Sequence, residues 1–516
     1  MGAASLFSRL VGLLRDRILA GEFGASETLD IYYASFRIPD FLFQLLIIGA
    51  LSAGFIPLFA RLRHRDEKEA WQFASTVFNA MITCLAIIAV ILAIIAPWIV
   101  ALIAPGFSVA AQRMTITLTR IMLFSPIFLG MSALFGGILQ AYKKFFINAI
   151  APIFYNVGII IGALYLVPLL GLSGLAWGVV LGAVLHAGIQ FPGTYGLGLR
   201  ARVAHPFRDS HLATLARLMI PRTFALGVTQ ATLVAMTMIA STLTQGSLTI
   251  FNFASNIASF PIGIFGITYA IAAFPTLTEH VVRGNADGFR RSFAATIRHI
   301  LFFIVPSTVL FFMLRAQIVR AVLGAGAFDW NDTVHTMNTL AAFSFGMFAL
   351  AMNYVLIRAF WAYEDTWTPA LTATLGSVIA IVVGFMTRRM FGVEALGAAF
   401  ALGDIIQLIM MWILLRRHTQ NLAEASIAVA LAKIFCGTAF LALGVQGTKM
   451  LFGSHFGTDT FFNVVLQGGS AAAVGILMYC VVCWFLRSKE LLHFVASIHR
   501  RIAPNPEQLE LFEQDL

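Results

Sequence analysis

An apolar stretch near the N-terminus carries four charged side chains between residues 9 and 17, and their chemistry suits an anionic ligand. The stretch FSRLVGLLRDRILAGEFG places Arg9, Arg15, Asp16 and Arg17 among leucines and glycines. An arginine guanidinium offers a planar fork of donors that matches phosphate and carboxylate groups. Arg9 and Asp16 are seven residues apart and so share one helix face, which predicts that they pair. The alternative is that Arg15 and Arg17 extend to the lipid headgroups and only add positive charge there.

A later apolar run holds a second candidate for chemistry. ALGDIIQLIM contains Asp404 and Gln407, and Thr374 lies in the apolar run before it. A carboxylate inside a membrane span is costly and commonly binds a cation or a proton. Two interpretations stay open, an ion-coupling site formed by these three residues and a purely structural pairing of Asp404.

Composition identifies the elements that must position these residues. The chain has 516 residues, of which 59% are hydrophobic and 11% charged, with a mean hydropathy of +0.87. Soluble domains have roughly 25% charged residues. Apolar runs long enough to cross a bilayer as helices recur throughout. The sequence therefore predicts an all-α polytopic membrane protein with fourteen spans, near 3–22, 28–60, 72–103, 110–140, 147–168, 173–196, 212–243, 248–280, 297–324, 333–361, 368–387, 391–415, 425–451 and 461–486.

Basic residues predict the orientation of these spans. If the N-terminus is cytoplasmic, the inner connections hold 19 Lys and Arg and the outer ones six. Cytoplasmic loops carry this excess, so both termini are predicted to be cytoplasmic. The net charge of +10 then fits an anionic inner leaflet, and no nucleic-acid partner is expected.

A repeat divides the chain. AYKKF at 141–145 and AYEDT at 362–366 are 221 positions apart, and the same offset relates Gly171 to Gly392 and Gly182 to Gly403. This predicts two six-helix lobes as parallel repeats, residues 1–200 and 201–420. Two further helices within 421–490 and a cytoplasmic tail, 491–516, complete the predicted organisation.

Enzymatic motifs do not occur. The sequence has no Walker A motif, HExxH or nucleophile elbow, so an ion gradient, the membrane potential or the substrate's own gradient would drive any transport. Cys480 and Cys483 form a C-x-x-C inside a predicted span, where we expect neither a metal nor a redox role.

Short motifs in a specific order resemble a known family. In the N-terminal part they are Ser8-Arg9, Gly12, Arg15-Asp16, Asp30, Phe36, Pro39, Gly49-Ala50, Ser52, Phe55 and Pro57. Further along they are Ala151-Pro152, Asn156, Gln190 to Pro192, Pro221, Gln230, Phe260-Pro261, Pro275, Gly326 to Phe328, Arg358 to Phe360, Asp365-Thr366 and Pro369. Over about residues 5–420 the chain resembles the MurJ (MviN) lipid II flippases of the multidrug/oligosaccharidyl-lipid/polysaccharide exporter superfamily.

The resemblance implies a site. Arg9, Arg15 and Asp30 match cavity-lining positions of the family, with the two arginines as diphosphate ligands, and Ser8 and Asp16 lie beside them. Where the family has an arginine in the eighth helix this chain has Asn256, which can still donate hydrogen bonds and completes the predicted substrate site. Other departures are Phe43 for an arginine, Ile48 and Ser259 for acids, and Met236 for the sodium-site aspartate of some relatives.

The resemblance also implies a function. The expected cargo is lipid II, moved from the inner to the outer leaflet of the bacterial cytoplasmic membrane by alternating access, with a groove for its lipid tail in the last two helices. We expect a monomer in contact with anionic lipids, no cofactor, and coupling to the membrane potential or a monovalent cation. The alternatives are another lipid-linked oligosaccharide or multidrug exporter of the superfamily and a non-transporting membrane scaffold.

Overall fold

The computed structural model describes residues 2–48, 54–199, 227–456 and 460–502. These residues form helices and turns, and no β-strand occurs among them. The first helices are α1 (Gly2–Phe23), α2 (Glu27–Leu42), α3 (Ile56–Arg65), α4 (Glu67–Ile103), α5 (Val109–Met122), α6 (Ser125–Ala141), α7 (Phe145–Ile161), α8 (Val167–Leu170) and α9 (Ser173–Tyr195). Of the resemblance motifs, Gly49-Ala50, Ser52 and Pro221 lie outside the described residues.

The later helices begin after residue 226. They are α10 (Gly227–Ser241), α11 (Ser247–Pro261), α12 (Thr268–Val282), α13 (Ala286–Met313), α14 (Arg315–Val322), α15 (Trp330–Ser344), α16 (Met347–Ala362), α17 (Trp367–Phe391), α18 (Glu394–Thr419), α19 (Glu424–Phe456), α20 (Phe461–Phe485) and α21 (Lys489–Ile502). Wider π-helical turns extend α2 at Phe43–Ile48, α7 at Gly162–Leu166 and α11 at Ile262–Ile267.

Ten helical segments in the described chain are long and apolar enough to cross a membrane, and α15 with α16, bent by 43°, would make eleven. An all-helical polytopic membrane protein is thereby confirmed. The predicted spans 3–22, 28–60 and 212–243 overlap α1, α2 and α10, but the last two lie partly outside the described residues, so the count of fourteen stays a prediction. The α1 helix fails the same test because it carries five charges, and the described part of α10 is short.

Glycines allow a close crossing of two helices. In α7 and α9, a Cβ atom on Gly162 would lie 2.5 Å from the Cα atom of Gly178, and one on Gly158 would lie 2.3 Å from that of Gly182. Small residues at such spacing let helix backbones approach within a membrane, where apolar burial alone drives little association. The equivalent crossing of α17 with α18 has Gly376 against Gly403.

Backbone conformation repeats at the offset found in the sequence. Gly171 and Gly392 end helices with φ of +61° and +60°. Lys143 and Glu364, 221 positions apart, follow the ends of α6 and α16 with φ of +59° and +61°. Positive φ is uncommon outside glycine, so its recurrence at equivalent positions supports the internal repeat.

The chain forms two compact units. Unit 1 comprises Met1–Ile257, Val319–Phe343 and Thr366–Gln407, and unit 2 comprises Ala258–Ile318, Ser344–Asp365 and Leu408–Leu516. The core of unit 1 includes a stack of phenylalanines, with Phe55 parallel to both Phe59 and Phe73.

In unit 2, α20 and α21 are tied to α13. The Tyr479 hydroxyl donates to the Phe302 carbonyl at 2.7 Å, and Arg298 Nε lies 3.1 Å from Glu490 Oε1. The α21 helix thus begins with a buried acid held against α13.

Candidate functional site

Arg15 and Asp16 form an ion pair on α1. Arg15 Nε and Nη2 lie 3.0 and 2.7 Å from Asp16 Oδ1. The carboxylate is 3% exposed and the arginine side chain 22%. The expectation that Asp16 pairs with Arg9 is therefore wrong, because the long Arg15 side chain folds back onto its neighbour in sequence.

Two asparagines from other helices complete this cluster. Asn156 of α7 accepts from Arg15 Nη1 at 3.0 Å through its Oδ1 atom. Asn256 of α11 donates its amide to Asp16 Oδ2 at 3.1 Å. Both oxygens of the buried Asp16 are thus satisfied, as a buried charge requires. The cluster of Arg15, Asp16, Asn156 and Asn256 joins three helices of unit 1.

Arg15 also lines a partly open cavity of about 310 Å³. Three of the five N–H groups of Arg15 donate hydrogen bonds within the cluster, which leaves two for a ligand. The cavity is lined by Arg15, Phe36, Pro39, Asp40, Phe43, Ser125, Leu129, Pro152, Tyr155, Asn156 and His186. Apolar walls around a partly exposed arginine suit an anion, since low polarity strengthens charge-assisted hydrogen bonds.

Sequence reasoning missed three ionisable residues of this cavity, Asp40, Tyr155 and His186. Asp40 follows Pro39 in the motif quoted for the family, and its Oδ2 atom lies 3.5 Å from Gln230 Nε2. His186 was the only histidine in its apolar run, which was a usable signal. Phe43, at a position where the resemblance implied an arginine, lines the cavity, so this part of the wall is apolar.

Arg37, one turn before the cavity acid, is a second arginine that sequence reasoning missed. Its Nε donates to Thr237 Oγ1 and its Nη2 to Asn252 Oδ1, both at 2.8 Å. These bonds tie α2 to α10 and α11, so Arg37 has a positioning role.

Asp30, a predicted cavity residue, binds the N-terminus of α11. It is 3% exposed, and its carboxylate accepts from Gly246 N at 2.7 Å, Thr249 N at 2.8 Å and Thr249 Oγ1 at 2.7 Å. A carboxylate at a helix N-terminus satisfies N–H groups that have no partner within the helix and complements the helix dipole. Asp30 is not among the residues that line the described cavity.

The other first-helix residues differ in their surroundings. Ser8 and Arg9 are half-buried and do not contribute to the described cavity wall. Arg17 donates from Nη1 to the Ala321 carbonyl at 2.8 Å. Its predicted extension to the headgroups is therefore wrong, because the guanidinium is fixed by a backbone carbonyl of α14.

The residues predicted to couple an ion lie on α17 and α18. Thr374 bonds the Ala370 carbonyl of its own helix, while Asp404 follows Gly403, which packs on Gly376. No group of three or more His, Cys, Asp or Glu side chains in the described ranges has the geometry to hold a metal ion.

Met236, where the resemblance implied the sodium-site aspartate of some relatives, is fully buried in an apolar cluster. Ala380, Leu396 and Ala399 are members of the same cluster. A thioether among alkyl groups is a poor ligand for sodium, which prefers oxygen. The chain therefore offers no charged ligand at this position.

Apolar helices long enough to cross a membrane, a close glycine crossing and a cavity lined by an arginine define a polytopic membrane protein. A solved structure of lipid II flippase MurJ in an inward closed conformation shares this fold with a TM-score of 0.79 and 24% identity, covering 94% of this chain and 98% of that one. An inward-facing multidrug resistance transporter of the MATE family gives a TM-score of 0.67 at 15% identity, covering 81% of this chain and 96% of the other.

Sequence comparison identifies the family. The model of the family described as Lipid II flippase MurJ matches residues 19–467. Lipid II flippase MurJ of Burkholderia cenocepacia is 28% identical over 80% of this chain and 82% of its own length. A probable lipid II flippase MurJ of Rhizobium tropici is 27% identical over 88% of this chain and 86% of its own. The chain belongs to the MurJ family of lipid II flippases, which confirms the resemblance, and this is a family of transporters.

Proposed function

We propose that this protein moves lipid II, a peptidoglycan precursor linked to undecaprenyl diphosphate, from the inner to the outer leaflet of the cytoplasmic membrane. The family match over residues 19–467 supports this. The observation that carries the proposal is the position of Arg15 in a 310 Å³ cavity with two N–H groups left over. A diphosphate presents oxygens that this fork can bind, and charge-assisted bonds are the strong ones.

The proposed path is alternating access between two six-helix lobes, residues 1–200 and 201–420, in a protein of fourteen spans. The internal repeat supports this division, because equivalent helix ends share their backbone conformation. Residues 421–490 supply the groove for the lipid tail, and residues 491–516 form a cytoplasmic tail. Both termini are cytoplasmic in this proposal, which follows from the charge of the loops.

Arg15 is the proposed principal ligand of the diphosphate, held in place by Asp16 and Asn256. Arg9 and Ser8 are further proposed contacts, for which the family motif is the support. The protein acts as a monomer among anionic lipids. It uses no cofactor and is driven by the membrane potential or by a monovalent cation bound at Asp404, Gln407 and Thr374.

A bacterial strain depleted of its own lipid II flippase tests the proposal. Expression of this protein is expected to restore growth, and Arg15→Ala is expected to abolish the rescue. Loss of one or two bonds of about 1.5–3 kcal/mol each would weaken cargo binding about tenfold or more. Arg15→Lys should restore part of the growth rescue, because lysine keeps the positive charge but lacks the planar fork of donors. The matched control is Arg113→Ala, at an exposed arginine of α5.

The fold shared with a multidrug transporter supplies the competing function. Failure to rescue growth, combined with increased resistance of the same cells to cationic drugs, would favour a drug exporter. Rescue by Arg15→Ala at matched expression would contradict the assignment of the cavity.

A further inference from the structure

His186 of α9 lines the same cavity as Arg15, and a chain of hydrogen bonds behind the ring fixes the position of its proton. His186 Nδ1 lies 2.5 Å from Ser132 Oγ. Ser132 Oγ in turn donates to Gln190 Oε1 at 2.8 Å. Gln190 Nε2 donates to Asn148 Oδ1 at 3.2 Å. The chain therefore runs from α9 to α6, back to α9 and on to α7.

The donors along this chain can be counted. A serine hydroxyl has one hydrogen, and that hydrogen is directed to the oxygen of Gln190, whose NH₂ group is engaged with Asn148. Ser132 Oγ must then accept from His186, so Nδ1 carries the hydrogen. Neutral His186 is therefore the Nδ1–H tautomer, and its Nε2 atom has a lone pair.

Only Nε2 is available to a ligand. Ser132 and Gln190 are 1% and 0% exposed, so the Nδ1 side of the ring is closed. Tyr155 stands edge-on to the imidazole, with 6.3 Å between ring centroids and an interplanar angle of 90°. No hydrogen bond to Nε2 occurs within the described ranges, and the residue forms part of the cavity wall.

We propose that His186 is a proton-dependent ligand of the anionic headgroup. The imidazole is neutral in the empty cavity, takes up one proton from water at Nε2 when the anion enters, and then donates that N–H to an anion oxygen. Binding of one cargo molecule thus carries one additional positive charge into the cavity. The inference rests on the proposed function, since it assigns His186 to the diphosphate of the same cargo.

The charges around the ring favour this order of events. Arg15 and Asp40 are the other ionisable cavity residues besides Tyr155, and Asp16 already neutralises Arg15. On the helices that pack against α9, Ser132 of α6 and Tyr155 of α7 face the ring, while Arg113 and Arg120 of α5 are exposed. Apolar walls disfavour a second cation beside Arg15, whereas the negative charges of a diphosphate favour it. Histidine is the side chain that makes this change near neutral pH.

Isothermal titration calorimetry can measure the proton directly. A lipid II analogue with a farnesyl chain is titrated into the detergent-solubilised protein in buffers of different ionisation enthalpy. We expect uptake of up to one proton for each bound analogue at about pH 7, and affinity about tenfold higher near pH 6 than near pH 8. His186→Gln and His186→Asn should still bind, without proton uptake and with a flat pH profile. Asn also keeps a donor toward Ser132, which guards against misfolding.

His280→Gln is the matched control, because His280 also bonds a serine hydroxyl, that of Ser292 at 3.2 Å, but does not line the cavity. The His280→Gln variant should take up as many protons for each bound analogue as the parent protein does. Binding without proton uptake by the parent, or equal uptake by the His186 variants, would overturn the inference and leave the proposed function intact. If the parent protein does not bind the analogue, both the inference and the proposed function are overturned. Loss of binding in Arg15→Ala tests only the proposed function, because it does not involve the proton on His186.

Discussion

Gly178 of α9 faces Gly162 of α7 so closely that a methyl group on Gly178 would lie 2.5 Å from the Gly162 Cα atom. Real side chains do not approach a backbone at that distance, so the two helices can cross here only because neither residue has a Cβ atom. The helices that carry Asn156 and His186 into the cavity wall are the two that this crossing joins.

Gly178→Ala is therefore expected to push α7 and α9 apart and to destabilise the protein by about 1–3 kcal/mol. The measurement is thermal unfolding in detergent, followed by intrinsic fluorescence. Gly188→Ala in the same helix is the control, because nothing lies within 4 Å of its added methyl group and alanine is the better helix former by up to about 1 kcal/mol. Equal melting temperatures for the two variants would contradict the close crossing.

Asp30 accepts three hydrogen bonds at the start of α11, so its removal should affect folding before transport. Asp30→Asn keeps one acceptor oxygen and turns an NH₂ group toward backbone N–H donors. We expect a loss of about 1.5–3 kcal/mol of unfolding free energy. Asp287→Asn is the control, since that side chain is 75% exposed and surface ion pairs contribute little. A normal melting temperature with lost cargo binding would instead favour the ligand role predicted from sequence.

The sequence predicted helices and their repeat well because both leave local signals. Apolar runs mark the spans, and the offset between Gly171 and Gly392 marks equivalent helix ends that share a positive φ. Pairing inside the site left no such signal. The seven-residue spacing predicted that Arg9 pairs with Asp16. In the structure Asp16 pairs instead with Arg15, its neighbour in sequence.

Partners from distant positions could not be predicted at all. Asn156 is 141 positions from Arg15, and only the packing of α1 against α7 brings them together. The same holds for Asp30, whose type suggests a ligand but whose bonds are fixed by the position of α11. Such contacts depend on tertiary structure, which residue type and spacing do not encode.

Arg17 is expected to contribute to stability, in contrast to an arginine that reaches the headgroups. Its bond to the Ala321 carbonyl is charge-assisted, so Arg17→Ala should cost about 1.5 kcal/mol or more. The control is Arg283→Ala, whose ion pair with Glu279 joins side chains that are 71% and 56% exposed. Thermal unfolding of both variants is the measurement. If Arg17→Ala has the same melting temperature as the parent protein and rescues growth equally well, the bond to the Ala321 carbonyl does not contribute to stability.

Asn256 is the neutral partner of Asp16 beside the cavity arginine, so a charged residue at this position tests the electrostatic role of the cluster. Its amide donates to Asp16 Oδ2 at 3.1 Å. Asn256→Asp would place two carboxylates at that distance, where like charges repel strongly in a buried setting. The added negative charge would also oppose an anionic cargo at Arg15. Asn256→Ala removes the same hydrogen bond without adding charge.

We therefore expect Asn256→Asp to weaken binding of the farnesyl lipid II analogue about tenfold or more, and Asn256→Ala by less, with both losses measured by calorimetry near pH 7. Lowering the pH should recover binding in the Asp variant as the carboxylate pair takes up a proton, and should not do so to the same extent in the Ala variant. Equal losses in the two variants at every pH would show that the hydrogen bond matters and the charge does not, which would contradict an electrostatic role for this cluster in holding an anion.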